Sequence, residues 1–372
     1  MTRDELVVLS LEPWDEIWRR NQYLLDGLLR ADTSLRVLFV EPANDVVHAL
    51  RSGRGIVRGR GLRTAPGYAG RLVLFQPTKV IPRIAGGLAD SLLRMSIARA
   101  MRASGMKDPV FWINDPGWAG LVHQSTSVMY DITDDWLEAQ RASRQLQRTA
   151  GNERLLLERA QQVVVCSPAL QLSKGQNRDV VLIQNAVDVE RYRTPAERPG
   201  DLPDGAIATY VGTLHEDRLD VELVARTAQR LAKDGVSLVL VGPNALAHTS
   251  TAQLHSAGVF VLGARRFDQI PAYLQHATTL IVPHVIDGFT DSLDPIKRYE
   301  YAAVGRPIVS TPVAGFREDG IPGVVVATPE LFPEIVAAVV RENRPNSYGA
   351  DVPDWSDRVL SMRSVIDQLR TS

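Results

Sequence analysis

Thirteen short apolar runs, rich in Val, Ile and Leu, recur along the chain with helix-length segments between most of them. The first seven are LVVLSL (6–11), RVLFVEP (36–42), RLVLFQP (71–77), VFWIND (110–115), VMYDIT (128–133), QQVVVCS (161–167) and VVLIQN (180–185). Segments such as 16–30 and 136–160 are long enough for the intervening helices. Strands that read as continuous apolar runs are buried on both faces, and a crossover helix is the usual connection between parallel neighbours. The pattern predicts a parallel sheet covered on both sides.

The alternation is interrupted once, by the Pro-, Gly- and acid-rich stretch RTPAERPGDLPDG (193–205). It then resumes with IATYVGTL (207–214), SLVLVGP (237–243), VFVLGA (259–264), TLIVPH (279–284), PIVSTP (307–312) and GVVVA (323–327). At 372 residues the chain exceeds the roughly 250 to 300 residues at which a single core stops growing. The expected fold class is therefore α/β, with two Rossmann-like, doubly wound domains, at 1–192 and 206–350. The terminal segment WSDRVLSMRSVIDQL, within 355–372, sets Val359, Leu360, Met362, Val365, Ile366 and Leu369 at helical spacing, an apolar face that either domain would cover. Ligands of such sheets bind outside the carboxyl ends of the strands, so two facing domains would share a cleft.

Composition excludes several classes. A formal charge of −1 gives no global reason to bind nucleic acid. The single cysteine, Cys166, rules out an internal disulfide framework and a cysteine-rich zinc site, and its place in QQVVVCSP reads as a buried strand thiol. No run approaches the roughly 20 apolar residues that span a bilayer, so the protein is expected in the cytoplasm. No Gly-x-Ser-x-Gly elbow, P-loop or Gly-x-Gly-x-x-Gly follows the first strand, which weighs against hydrolase, kinase and dehydrogenase readings.

The stretch DSLDPIKRYEYAAVGRPIVSTPV (291–313) concentrates the chemistry. Asp294 is expected to cap a helix, Pro295 suits its first turn, and Gly305 with Arg306-Pro307 ends it. A helix amino terminus favours anions, so Lys297 in the first turn calls for an anion or an acidic neighbour. Glu300 lies one turn on, on the same face. Spacing alone leaves two readings open: a solvated intrahelical ion pair, or Lys297 on a diphosphate with Glu300 on ribose hydroxyls.

The block DPIKRYEYAAVGRPIVSTPVAG resembles the donor-binding segment of retaining glycosyltransferases of the two-domain GT-B fold, particularly glycosyltransferase family 4. Five further blocks are similar in the same order: EIWRRNQYLLDGLLRADTSLRVLFVEP (16–42), VMYDITDDW (128–136), LIQNAVDVERY (182–192), YVGTLHEDRLDVELV (210–224) and the Trp355 helix, which in that family crosses back to the first domain. The resemblance implies that Glu300 holds the nucleotide ribose. The family's other glutamate falls at Ser292 here; Asp287, in Asp-Gly-Phe, is its upstream substitute, with Asp291 and Asp294 as rivals. Donor contacts are implied at Gly212, Thr213, Arg218, Ser292, Leu293 and Lys297, where Arg218 could instead be a surface charge paired with Asp217 or Asp220. The acceptor side is implied at Glu12, Trp14, Asn114 and Asp134, with Asp115 and Asp287 as the catalytic candidates; each Asn or Asp following a strand could equally cap the next helix. Two cations and a helix terminus would stabilise the leaving nucleoside diphosphate, so neither a metal nor a cofactor is expected beyond the nucleotide sugar.

From Val46 to Val110 the chain carries an excess of +10, densest in RSGRGIVRGRGLR (51–63). This segment is expected to be a basic loop, either simply solvated or drawn to an anionic membrane that presents a lipid-linked acceptor. The sequence thus predicts a glycosyltransferase. A nucleotide-sugar epimerase of the same fold and a catalytically silent binding module remain as alternatives.

Overall fold

The computed structural model describes residues 4–46, 58–79, 87–123, 127–135, 137, 143–291, 294–317, 323–342 and 351–371. The chain divides into two compact units. The first comprises Met1–Leu137, Arg141–Ile183 and Arg358–Ser372, and the second Glu138–Gln140 and Gln184–Asp357. The division at Gln184 precedes the expected 192, so the Asn-Ala-Val-Asp turn and the link after it belong to the second unit.

In the first unit the strands are β1 (Glu5–Leu9), β2 (Arg36–Val40), β3 (Asn44–Asp45), β4 (Gly61–Thr64), β5 (Leu72–Gln76), β6 (Thr78–Lys79), β7 (Val110–Ile113), β8 (Val128–Ile132), β9 (Gln162–Val165) and β10 (Val181–Leu182). Eight form one sheet in the order β10-β9-β8-β7-β1-β2-β5-β4. Its pairs are parallel except the last, in which β4 runs antiparallel along β5. β3 and β6 pair separately. The edge strand corrects the expectation of a loop through residue 63; residues 51–57 lie outside the described residues. The reason lies at the fully buried Glu41, whose carboxylate accepts from Arg60 Nη2 at 3.1 Å and Arg63 Nη2 at 2.6 Å. A buried carboxylate needs such partners, and they draw this arginine-rich segment onto the sheet.

The terminal helix, Trp355–Thr371, enters the first unit from Arg358 onward. Val359, Met362, Val365, Ile366 and Leu369 are buried, whereas Leu360, expected on the same face, is 69% exposed. Arg363 fixes the helix to Asp4 and Asp32, at 2.6 and 2.8 Å.

The second unit carries β11 (Ile207–Val211), β12 (Ser237–Val241), β13 (Phe260–Gly263), β14 (Thr279–Val282), β15 (Ile308–Ser310) and β16 (Val324–Val326), all parallel, in the order β13-β12-β11-β14-β15-β16. Side chains alternate along β11: Ala208 and Tyr210 pack with the helices Val221–Ala232 and Phe332–Glu342, while Ile207 and Val211 pack with Ile270–Gln275 and Ile296–Val304. Strand order reverses between β11 and β14, the switch point where a doubly wound sheet opens a crevice at its carboxyl end. In the first unit the corresponding place lies between β1 and β7.

Candidate functional site

In the second unit, β11 ends at Val211 and the backbone turns at Gly212 with φ of 151°. A Cβ there would lie 2.7 Å from Lys297 Nζ and 3.0 Å from the Tyr210 hydroxyl. Only glycine combines that dihedral with that proximity, so the lysine ammonium sits directly against the peptide after β11. Lys297 Nζ also lies 5.0 Å from the centroid of the Tyr210 ring, within cation–π range. Val211 N–H donates to the Tyr301 hydroxyl at 3.0 Å, which ties the end of β11 to the helix Ile296–Val304.

That helix begins one residue later than expected. Pro295 is its N-cap, no side chain caps it, and Gly305, with φ of 72°, closes it. Asp294 is turned away from the helix end. Its buried carboxylate accepts from Asn185 N–H at 2.5 Å and from the Tyr299 hydroxyl at 2.8 Å, while the Asn185 side-chain amide donates to Asp294 O at 2.6 Å. The Asp294 carboxylate is thus engaged with Asn185 and Tyr299, and the N-cap residue itself makes no side-chain hydrogen bond to the first turn.

Lys297 and Glu300 do not form the intrahelical ion pair that spacing allowed. Glu300 Oε1 accepts from the Tyr192 hydroxyl at 2.5 Å, and no hydrogen bond reaches Oε2 among the described residues. Surrounding protein raises the Glu300 carboxyl above the ordinary range, against the lowering effects of Tyr192 and Lys297.

After β14 comes the buried His284, with Nε2 3.1 Å from the Tyr210 hydroxyl. Burial, and then the charges of Lys297 and Arg218, hold it well below the usual imidazole value, so it is neutral near pH 7. Both cations are thus close enough to His284 to lower its pKa. Arg218 comes from the loop after β11, where its carbonyl accepts from Val285 N–H at 2.8 Å. Of the acids suggested beside Arg218, Asp217 lies 3.3 Å from His215 and Asp220 caps the next helix through Leu223 N–H. Thr213 is exposed beside Gly212. Asp287 caps the short helix Gly288–Asp291, accepting from Thr290 N–H at 2.8 Å while its own N–H donates to the Thr290 hydroxyl. Ser292 and Leu293 lie outside the described residues.

The first unit's candidates each have a partner within that unit. Asn114, buried after β7, accepts from the Asn21 amide at 2.9 Å and donates to Asp131 Oδ2 at 3.2 Å. Both ends of its amide are thus committed within the protein. Asp131 is itself fully buried, receiving Trp112 Nε1 at 3.1 Å and facing Arg20 Nη2 at 3.5 Å. Glu12 pairs with Arg19 at 3.2 Å. Trp14 donates its N–H to Glu41 and sets its ring edge-on to Phe39 and Tyr68, with centroids at 5.2 and 6.2 Å. Asp115 accepts from Gly117 N–H at 2.7 Å, the capping role that was its alternative reading. Asp134 accepts from Thr133 at 3.0 Å. Cys166 is buried, with Sγ 3.2 Å from Thr133 O.

Over nearly its whole length the chain resembles the structure of sucrose-phosphate synthase from Thermosynechococcus elongatus, with a TM-score of 0.68, 17% identity and coverage of 99% of this chain and 100% of that one. The fold is GT-B. Anabaena HepE, solved with UDP and glucose, shares it at a TM-score of 0.61, 16% identity and coverage of 99% and 98%. Within this GT-B chain, residues 205–342 match the family model for Glycosyl transferases group 1. A protein named as the teichuronic acid biosynthesis glycosyltransferase TuaH of Bacillus subtilis (strain 168) is 22% identical over an alignment of 222 residues, with coverage of 54% of each chain. The match spans about half the length of that curated relative. All the residues gathered around Gly212 fall inside the matched segment except Tyr192 and Asn185. Those two, with Tyr210 and His284, were not singled out in the sequence; Tyr210 and His284 lie in apolar runs, where a phenol or imidazole reads as core.

Proposed function

We propose that this GT-B protein is a retaining glycosyltransferase, similar to family 4, that moves a sugar from a nucleoside diphosphate to an acceptor hydroxyl. The observation that carries the reading is the convergence of Gly212, Lys297 and Arg218 at the switch point of the second unit, with Glu300 one turn further along the same helix. The glycine lets backbone approach a diphosphate, two cations and an uncapped helix start offset its charge, and Glu300 Oε2 accepts from ribose hydroxyls. The match to Glycosyl transferases group 1 and the likeness to the UDP-bound HepE support a UDP-type donor. The C1–O bond to the diphosphate breaks, a C1–O bond to the acceptor oxygen forms on the same face, and the acceptor proton leaves toward the departing phosphate. No enzyme nucleophile is required. Asp287 Oδ2 is our candidate contact to the donor sugar, and the β1 and β7 loops our candidate acceptor side. The test is UDP release from UDP-sugars with and without alcohol and sugar acceptors, with product configuration read by NMR. The proposal expects acceptor-dependent release and a retained anomer. Acceptor-independent sugar epimerisation, or binding with no turnover on any acceptor, would sink it.

A membrane-presented acceptor is favoured by one further observation. On the helix Gly87–Ala103, Leu92 and Met95 are exposed at 45% and 47%, and Arg99 and Arg102 lie exposed further along the same face. Apolar and basic groups together suit an anionic lipid surface. Among the described residues no helix is long and apolar enough to cross a membrane. Arg60 and Arg63, the latter tightly held, are engaged with Glu41, so the exposed helix is the better candidate contact. Co-sedimentation should show salt-sensitive binding to anionic vesicles and none to neutral ones. Equal binding to both, or none at low salt, would leave an acceptor free in solution.

A further inference from the structure

We propose that Tyr192 is a positioning residue for nucleotide binding: its phenol holds one carboxylate oxygen of Glu300 and leaves the other for the ribose. The inference rests on the reading of Glu300 given above. Tyr192 is 2% exposed and sits on the short helix Val189–Arg193. That helix is fixed from three directions. Asp188 caps it through Arg191 N–H at 3.0 Å, Gln275 Nε2 donates to Tyr192 O and Thr194 O at 2.9 and 2.8 Å, and Val189 N–H donates to Asp354 Oδ2 at 3.1 Å. Arg193 further reaches Ala303 O at 3.5 Å, on the helix that carries Glu300. The phenol is thus a rigid donor, and its 2.5 Å contact with Oε1 fixes a side chain that would otherwise have several rotamers.

The phenol's hydrogen bond also favours the ionised form of the carboxylate. Burial pushes the Glu300 carboxyl up, while the Tyr192 hydrogen bond and Lys297 oppose this. Other ionisable groups nearby are engaged: Tyr301 with Val211 N–H, Tyr299 with Asp294, and Tyr273, on the adjoining helix Ile270–Gln275, with Asp201. Without the phenol, the Glu300 carboxyl rises further and protonates at a higher pH. A protonated carboxyl accepts ribose hydrogen bonds poorly, so nucleotide binding should then fail earlier on acidification.

Calorimetry of UDP binding between pH 5 and 9 tests this, with inorganic pyrophosphate in parallel. Tyr192→Phe keeps the ring and removes the hydroxyl. It should weaken UDP roughly 5- to 20-fold near pH 7, move the acid-side loss of affinity to higher pH, and leave pyrophosphate unchanged. Titration of the phosphate itself is common to all variants and cancels in the comparison. In a Glu300→Gln background, which has no carboxyl to titrate, adding Tyr192→Phe should cause no further pH shift. An acid limb identical in wild type and Tyr192→Phe, with Glu300→Ala still weakening UDP, overturns the positioning role and leaves the ribose reading standing. No effect of Glu300→Ala overturns both.

Discussion

Asp131→Ala should be the most damaging single change in the first unit, lowering its stability by about 3 to 5 kcal/mol. The carboxylate is wholly buried and receives the Trp112 indole, the Asn114 amide and the Arg20 guanidinium. Removing it takes a buried acceptor from the Trp112 indole and a facing charge from an arginine whose side chain is 5% exposed, and water cannot replace the lost acceptor. For a unit of this size the unfolding midpoint should fall by about 10 °C or more, read by calorimetry. Asp131→Asn should also destabilise, because it keeps the volume but removes the charge facing Arg20. A midpoint within about 2 °C of wild type for Asp131→Ala would show that the network contributes little.

Lys297→Met should weaken UDP by about 1.5 to 3 kcal/mol, roughly 10- to 150-fold, while changing uridine affinity little. Methionine keeps much of the stem that packs near Tyr210 and removes only the ammonium. The cation lies against the Gly212 backbone and at the start of an uncapped helix, so its contribution should fall on the phosphates. His284, already neutral, supplies no substitute charge. Equal losses for UDP and uridine would place the lysine away from the diphosphate.

All thirteen apolar runs form strands, because a strand covered on both faces must be apolar along its whole length and few other arrangements accept such a run. What the sequence concealed was held by polar pairing. The edge strand Gly61–Thr64 has an arginine- and glycine-rich sequence, and it lies on the sheet because the buried Glu41, 22 positions before Arg63, holds that arginine. Asp294 had the local signature of an N-cap, yet a contact with Asn185, 109 positions away, outweighs that preference. Lys297 and Glu300 had the spacing of an ion pair, and each has a different partner supplied by another strand or helix. Motif spacing therefore located the helix and its two charged residues. The partners that orient those residues come from distant segments, and no local pattern encodes them.

The central claim is that one helix of the second unit divides a nucleotide between Lys297, for the diphosphate, and Glu300, for the ribose. The most direct measurement is calorimetry of UDP and inorganic pyrophosphate against wild type and Glu300→Ala at pH 8, on the alkaline side where ionisation of the carboxylate is favoured. The account predicts that Glu300→Ala weakens UDP by about 1.5 to 3 kcal/mol and leaves pyrophosphate affinity unchanged, with the fold intact by circular dichroism. Unchanged UDP affinity, or equal losses for both ligands, would contradict it.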